Sequence, residues 1–218
     1  MKKKNFRSVA RQLRMPHGTS GKKTGEMMNK GNKLMNLAAI EQLEINTNDN
    51  ILEIGMGNGF FVKHVLANDK TVQYAGCDFS ELMVEESINY NRDLVKNRQA
   101  SFTRADASDL PYKNEYFNKV FTVNTIYFWD KIEIVLSEIK RVLKNNGLLI
   151  ISLRPKSVME NIPVTKYGFK TFSESDCTEI LNKNGFETIS VTENEDSDIE
   201  FFGKKFKNGF LIVKAIKK

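Results

Sequence analysis

Ile51-Leu52-Glu53-Ile54-Gly55-Met56-Gly57-Asn58-Gly59-Phe60 is the stretch that decides the fold. Four residues of near-continuous apolar character stop at a glycine, as a buried strand does. Three glycines follow at alternate positions, and Phe60 to Leu66 then reads as a helix. Glycines let the backbone turn tightly and let a ligand approach without meeting a Cβ. Working outward, the alternation repeats: strands at Val72–Cys77, Ala100–Arg104, Lys119–Val123 and Leu148–Leu153, helices at Ser80–Val95 and Asp130–Leu143. Ser80 and Asp130 are candidate N-caps. Asn145-Asn146-Gly147 reads as a helix stop. A further helix at Ser173–Lys183 precedes two strands, Phe186–Val191 and Phe210–Ala215, with no helix between them. The expectation is an α/β fold: a Rossmann-like three-layer sandwich with a seven-stranded, mostly parallel sheet and an antiparallel last strand. Glu193 to Glu200 reads as a solvated turn between the last two strands.

The chain has 218 residues, 40% hydrophobic and 28% charged, enough for one domain with a real core. No run approaches the ~20 apolar residues of a membrane span. The basic start lacks the apolar stretch of a signal peptide. Two cysteines, Cys77 and Cys177, and two histidines, His17 and His64, make neither a disulfide framework nor a metal-ligand cluster. These features suggest a cytoplasmic protein with reduced thiols and no metal.

The net charge of +6 is unevenly spread: residues 1–33 carry +9 and the remainder −3. Residues 1–20 show no clean period, Pro16-His17-Gly18 reads as a break, and residues 23–45 read as one helix. The division expected is 1–46, a basic arm and helical cap, and 47–218, the sheet domain. A basic arm can bind nucleic acid. This one lacks dense Arg/aromatic interleaving, so the favoured reading is a solvated leader that covers a site near the core.

Spacing narrows the glycine loop. A dinucleotide fingerprint, G-x-G-x-x-G, needs a small residue at position 60, which is Phe60. Here the third glycine comes one residue early, and Glu53 precedes the first by two. A carboxylate there repels pyrophosphate and suits a cation. Glu53, Gly55, Gly57 and Gly59 match (D/E)-x-G-x-G-x-G, and the chain resembles class I S-adenosylmethionine-dependent methyltransferases of the type 11, small-molecule branch. Gly76, Asp78, Ser80 and Met83 fit the family's G-x-D-x-S-x-x-M pattern. Asp106-Ala107 and Leu110-Pro111-Tyr112 fit its D-A-x-x-L-P-F region, with Ala105 and Asn118 replacing its usual Gly and Asp. Ile139 to Gly147 resembles its R-V-L-K-P-G-G turn.

The resemblance implies S-adenosylmethionine as cofactor. Asp78 would bind the ribose hydroxyls, Asp106 the adenine amino group, Ala107 the ring through its backbone N–H, and Asn124 the methionine part. Met56, Phe79 and Met83 would complete the cofactor site. Tyr127, Phe128 and Trp129 would line the acceptor pocket, with Tyr127 as the candidate catalytic polar contact. Residues 154–172 and the arm, including Arg14 and His17, would close over it. The family's enzymes for exocyclic base amines carry a Pro-Pro motif where this chain has Asn124-Thr125. Neither cysteine is placed as a cytosine-C5 or arsenite enzyme would need. A small-molecule acceptor is therefore expected. The alternatives are an RNA or protein methyltransferase docking through the arm, and a non-catalytic cofactor-binding module.

Overall fold

The computed structural model describes residues 5–67, 69–201 and 203–218. Its strands are β1 (Asn50–Ile54), β2 (Gln73–Asp78), β3 (Ala100–Arg104), β4 (Phe117–Val123), β5 (Leu143–Leu153), β6 (Phe186–Phe201) and β7 (Lys204–Lys217). They form one seven-stranded sheet in the order β3-β2-β1-β4-β5-β7-β6. The first five strands are parallel, and β7 runs antiparallel to both β5 and β6. The α/β architecture read from the alternation of elements is the one observed.

The helices are α1 (Phe6–Arg14), α2 (Gly18–Gly31), α3 (Lys33–Gln42), α4 (Val62–Val65), α5 (Glu81–Tyr90), α6 (Arg92–Lys96), α7 (Ile132–Val142), α8 (Lys156–Met159) and α9 (Glu174–Lys183). Alternation along each strand sends consecutive residues to opposite faces. Ile51, Tyr74, Phe121 and Ile150 pack with Met35, Ala39 and Leu43 of α3 and with Val62 and Val65 of α4. Leu52, Ile54, Leu149 and Ile151 pack with Val135, Leu136 and Ile139 of α7 and with Cys177 and Leu181 of α9. Both faces are covered, which is why these strands read as apolar runs rather than as an alternating pattern. None of the described helices is long and apolar enough to cross a membrane.

Four expectations are corrected. First, residues 6–14 are helical. Phe6, Val9, Ala10 and Leu13 follow helical spacing and pack on the main core, while the Asn5 side chain accepts from Ser8 N at 3.2 Å. Second, the helix expected over 23–45 begins at Gly18 and breaks at Asn32. Glycine weakens a helix locally. Here it permits close approach: a Cβ on Gly21 would lie 2.7 Å from Leu82 Cδ2, and one on Gly25 3.4 Å from Met83. Third, Asn145 to Gly147 lie within β5, where Asn146 takes a left-handed φ of 60°, and α7 is not capped by Asp130. Fourth, Glu193 to Glu200 are not a turn but the outer half of β6. The acids Glu193, Glu195 and Asp196 lie in the strand paired with the one carrying Lys205 and Lys207. They stand opposite Leu211, Gly209 and Asn208, so none of the three faces a like charge across the ladder.

One feature of the topology places the site. Strand β1 lies between β2 and β4, so the chain leaves it in one direction and returns on its other side. In open parallel sheets this reversal opens a crevice beyond the carboxyl ends of the strands.

Candidate active site

The glycine loop occupies that crevice. Gly55, Gly57 and Gly59 all have positive φ, at 75°, 58° and 69°. L-residues with side chains pay roughly 1–2 kcal/mol in this region. The three glycines have different surroundings. A Cβ on Gly55 would lie 2.2 Å from Thr125 Cγ2, and one on Gly59 2.8 Å from Asn91 Nδ2. A Cβ on Gly57 would meet no atom within 4 Å and would point into open space. Helix α5 holds the loop from behind: Ser87 Oγ donates to Gly57 O at 2.9 Å and Asn91 Nδ2 to Gly59 O at 3.0 Å.

Asp78 ends β2 beside the loop. Its Oδ2 accepts from Gly57 N at 3.0 Å and its Oδ1 from Ser80 N at 2.8 Å. An ionised carboxylate offers about four acceptor positions, so both oxygens keep capacity for a ligand. Burial pushes this carboxyl up to about 6, against the two backbone N–H bonds that favour its charged form. Ser80 caps α5 as expected, accepting from Met83 N at 3.3 Å. Its hydroxyl also donates to Pro16 O at 2.5 Å, tying the arm to the site.

A cavity of about 590 Å³ lies against these groups, with α1, α2 and the start of α3 along its other side. Of the residues singled out in the sequence, Glu53, Gly55, Met56, Gly57 and Asp78 line it. So do Phe79, Met83, Asp106, Ala107 and Asn124. Gly59 does not, because it faces α5. Asp106 Oδ1 is turned to Ser108, accepting from its N at 2.9 Å and its Oγ at 2.7 Å. Cys77 also reaches the cavity wall, but burial raises its thiol far above the usual range and keeps it protonated.

Tyr127 is not at the cavity. It is 3% exposed in the core, and its hydroxyl donates to Asn124 Oδ1 at 2.8 Å and is bonded to Arg154 N. The reason lies one turn earlier. Asn124 takes a left-handed φ of 58°, the chain enters a 3-10 turn over Ile126–Phe128, and the tyrosine is aimed back beneath the sheet end. Phe128 and Trp129 do reach the cavity. Residues 154–172 do not: they back the arm, with Phe6 stacked on Tyr167 and Lys170 Nζ donating to Trp129 O and Asp130 O. Arg14 lines the cavity and pairs with Asp130 at 2.9 Å, whereas His17 does not line it.

Sequence reasoning missed the asparagines. Asn32, at the α2–α3 break, accepts from Asn124 Nδ2 at 3.0 Å and from Arg154 Nη1 at 3.2 Å. Asn58 lines the cavity with a buried Oδ1 that has no partner. Its place in the glycine loop was the available signal. Among the described residues no cluster of His, Cys, Asp or Glu converges as metal ligands.

Residues 52–151 match the methyltransferase domain family. The protein MJ1123 of Methanocaldococcus jannaschii is 30% identical over 169 residues, spanning 73% of this chain and 75% of its own. Residues 52–151 are a class I S-adenosylmethionine-dependent methyltransferase domain. The uncharacterized methyltransferase YdaC of Bacillus subtilis is 28% identical over 168 residues, covering 77% of this chain and 87% of that one. Among solved structures, a chain of the complex between the Haloferax volcanii Trm112 methyltransferase activator and a methyltransferase superposes with a TM-score of 0.80. It shares 16% identity and covers 100% of this chain and 99% of its own. This methyltransferase uses S-adenosylmethionine, and the cavity has room and polar groups for it: open space over Gly57, an Asn58 Oδ1 with no partner among the described residues, and the carboxyl groups of Glu53 and Asp78.

Proposed function

We propose that this methyltransferase transfers the methyl group to a small, largely apolar acceptor held between the N-terminal helices and Phe128-Trp129. The observation that carries the reading is the closure of the arm over the crevice. Leu13 and Met28 face the cavity from α1 and α2, and Phe128, Trp129 and Ile134 from the β4–α7 side, with Arg14 bridging to Asp130 across the two. A macromolecular acceptor would need this seam opened. Two cations of the arm are also engaged internally, Arg14 with Asp130 and Lys22 with Glu86, which removes them from a docking face. A fatty-acid O-methyltransferase of Mycolicibacterium smegmatis, 27% identical over 107 residues, supports an apolar acceptor; the match spans 49% of this chain and 38% of that protein.

In this reading Asp78 takes the ribose hydroxyls, Gly57 admits the cofactor against the loop, and Asp106 and Ala107 face the adenine. Met56, Phe79 and Met83 pack around it, and Glu53 faces the cationic end beside Asn124. When bound, S-adenosylmethionine supplies an already activated methyl group. The chain then has to hold the acceptor in line, about 3–3.5 Å from the methyl carbon, and to exclude water. Phe128 and Trp129 favour a cationic centre by their ring faces. Tyr127 positions Asn124 from behind.

The test is transfer of labelled methyl to fatty acids, phenols and amines, with total RNA and a protein extract in parallel. Transfer to a small acceptor is expected. Phe128→Ala and Leu13→Ala should raise the acceptor KM several-fold while the cofactor Kd stays within twofold. Transfer to RNA or protein alone would overturn the reading.

A further inference from the structure

Glu53 is 4% exposed, and its carboxyl is at the cavity wall. Such a group needs a partner to stay charged. Among the described residues no Lys, Arg or His faces it. The polar and charged groups near it are Tyr74, Cys77 and Asp78, all on β2, while Asn36 of α3 shares the cavity wall. Asp78 repels it and Cys77 is a buried thiol. Its one hydrogen bond among the described residues comes from Tyr74, whose Oη donates to Glu53 Oε2 at 2.6 Å.

Tyr74 is not Glu53's neighbour in the sheet. The residue paired with Glu53 is Gly76, and Tyr74 pairs with Ile51, two residue pairs further from the site. To reach the carboxyl, the tyrosine ring must run along β2 across position 76. A Cβ there would lie 3.0 Å from both Cε1 and Oη of Tyr74 and 3.1 Å from Met56 Cγ. Gly76 is an extended strand residue, so its absent side chain supplies space rather than a special φ. Phe102 of β3 supports the ring from the other side, with centroids 5.9 Å apart. Tyr74 itself is 3% exposed and does not line the cavity.

We propose that Tyr74 is a positioning residue for the cofactor site: its hydroxyl fixes one oxygen of Glu53, holds the carboxylate charged as the counter-ion for a cationic ligand, and reaches it through the space left by Gly76. The proposal rests on the reading that the cationic end of S-adenosylmethionine lies beside Glu53. It also assigns a physical role to Gly76, the first residue of the G-x-D-x-S-x-x-M pattern. Burial pushes the Glu53 carboxyl up to about 7, and the tyrosine bond acts against that rise. Removing the bond should therefore weaken the site most below neutrality and least in alkali.

The experiment is calorimetric titration with S-adenosylmethionine from pH 6 to 9, with adenosine as a ligand that lacks the cationic end. Wild-type affinity for S-adenosylmethionine should rise through about pH 7. In Tyr74→Phe the midpoint should move up by about one unit, with a loss of about ninefold at pH 6 and about fivefold at pH 7 that shrinks to under twofold at pH 9. Adenosine affinity should stay within twofold at every pH. Gly76→Ala, which crowds the ring without touching the hydroxyl's chemistry, should move the midpoint in the same direction. In a Glu53→Gln background the Tyr74→Phe change should have no pH-dependent effect. A uniform loss at all pH values, no loss, or an equal loss for adenosine would overturn the assignment of Tyr74. Failure of the wild type to bind S-adenosylmethionine at any pH would instead overturn the cofactor placement beneath it.

Discussion

Replacing Gly57 by alanine separates what the glycine loop does for folding from what it does for binding. The backbone there sits at φ 58°, and the added methyl would meet no atom within 4 Å. The folded state therefore gains left-handed strain of roughly 1–2 kcal/mol. The unfolded chain loses some freedom, which offsets about 0.4–1 kcal/mol of that. A net stability loss of about 1 kcal/mol follows. The bonds holding the loop, Gly57 N to Asp78 and Ser87 Oγ to Gly57 O, use backbone atoms that alanine retains. Binding should behave otherwise, because the methyl occupies the face on which the cofactor lies. A loss of at least tenfold in affinity for S-adenosylmethionine is expected. Gly59→Ala is the contrast. Its Cβ would press to 2.8 Å on Asn91 Nδ2 and 3.0 Å on Ser87 Oγ, the two groups that anchor the loop. It should cost about 3 kcal/mol in stability. Urea unfolding and calorimetric titration on the same preparations give both numbers. If Gly57→Ala binds the cofactor as the wild type does, or destabilises as much as Gly59→Ala, the cofactor does not approach over Gly57 and the reasoning fails.

Two further predictions concern buried polar groups. Tyr127→Phe should lower stability by about 1.5 kcal/mol, since Arg154 N and Asn124 lose a buried partner, and should change kcat less than threefold. A loss of more than a hundredfold in kcat with the fold intact would instead make Tyr127 catalytic. The second prediction is a pH slope. Glu53 holds its proton up to about 7 in the folded protein but titrates near 4.5 when unfolded. Between those values the native state binds more protons, so stability falls as pH rises and the penalty is complete above pH 7. Glu53→Gln should therefore gain relative to wild type by up to about 3 kcal/mol on going from pH 4.5 to pH 8. Urea unfolding across that range measures it, and a difference that is flat with pH contradicts the assignment.

Local chemistry explains what was legible in the sequence. Strand ends, the Ser80 cap, the glycine spacing and the position of Asp78 all depend on neighbours within a few residues. A turn at positive φ favours glycine wherever it occurs, and a carboxylate at the end of β2 is at the crevice in any sheet of this order. These signals identified the parallel α/β fold and the family resemblance, and the resemblance implied ten residues that line the cavity.

Tertiary structure decided the rest, because it turned on direction and on distant partners. Residues 1–20 show no clean period, and Phe6, Val9, Ala10 and Leu13 stand out as one helical face only against the core they meet. The glycines of α2 look like poor helix formers until α5 is seen lying against them. Nothing in the order of residues 124–129 says that a left-handed Asn124 turns Tyr127 inward and leaves Phe128 and Trp129 at the cavity. Glu53 and Tyr74 are 21 positions apart, and only strand register brings the hydroxyl over Gly76 to the carboxyl. Sequence specifies which groups are present and how the chain bends locally. Which of them meet in a buried site is set by register and packing, which bring one tyrosine hydroxyl to a buried carboxyl across two strands.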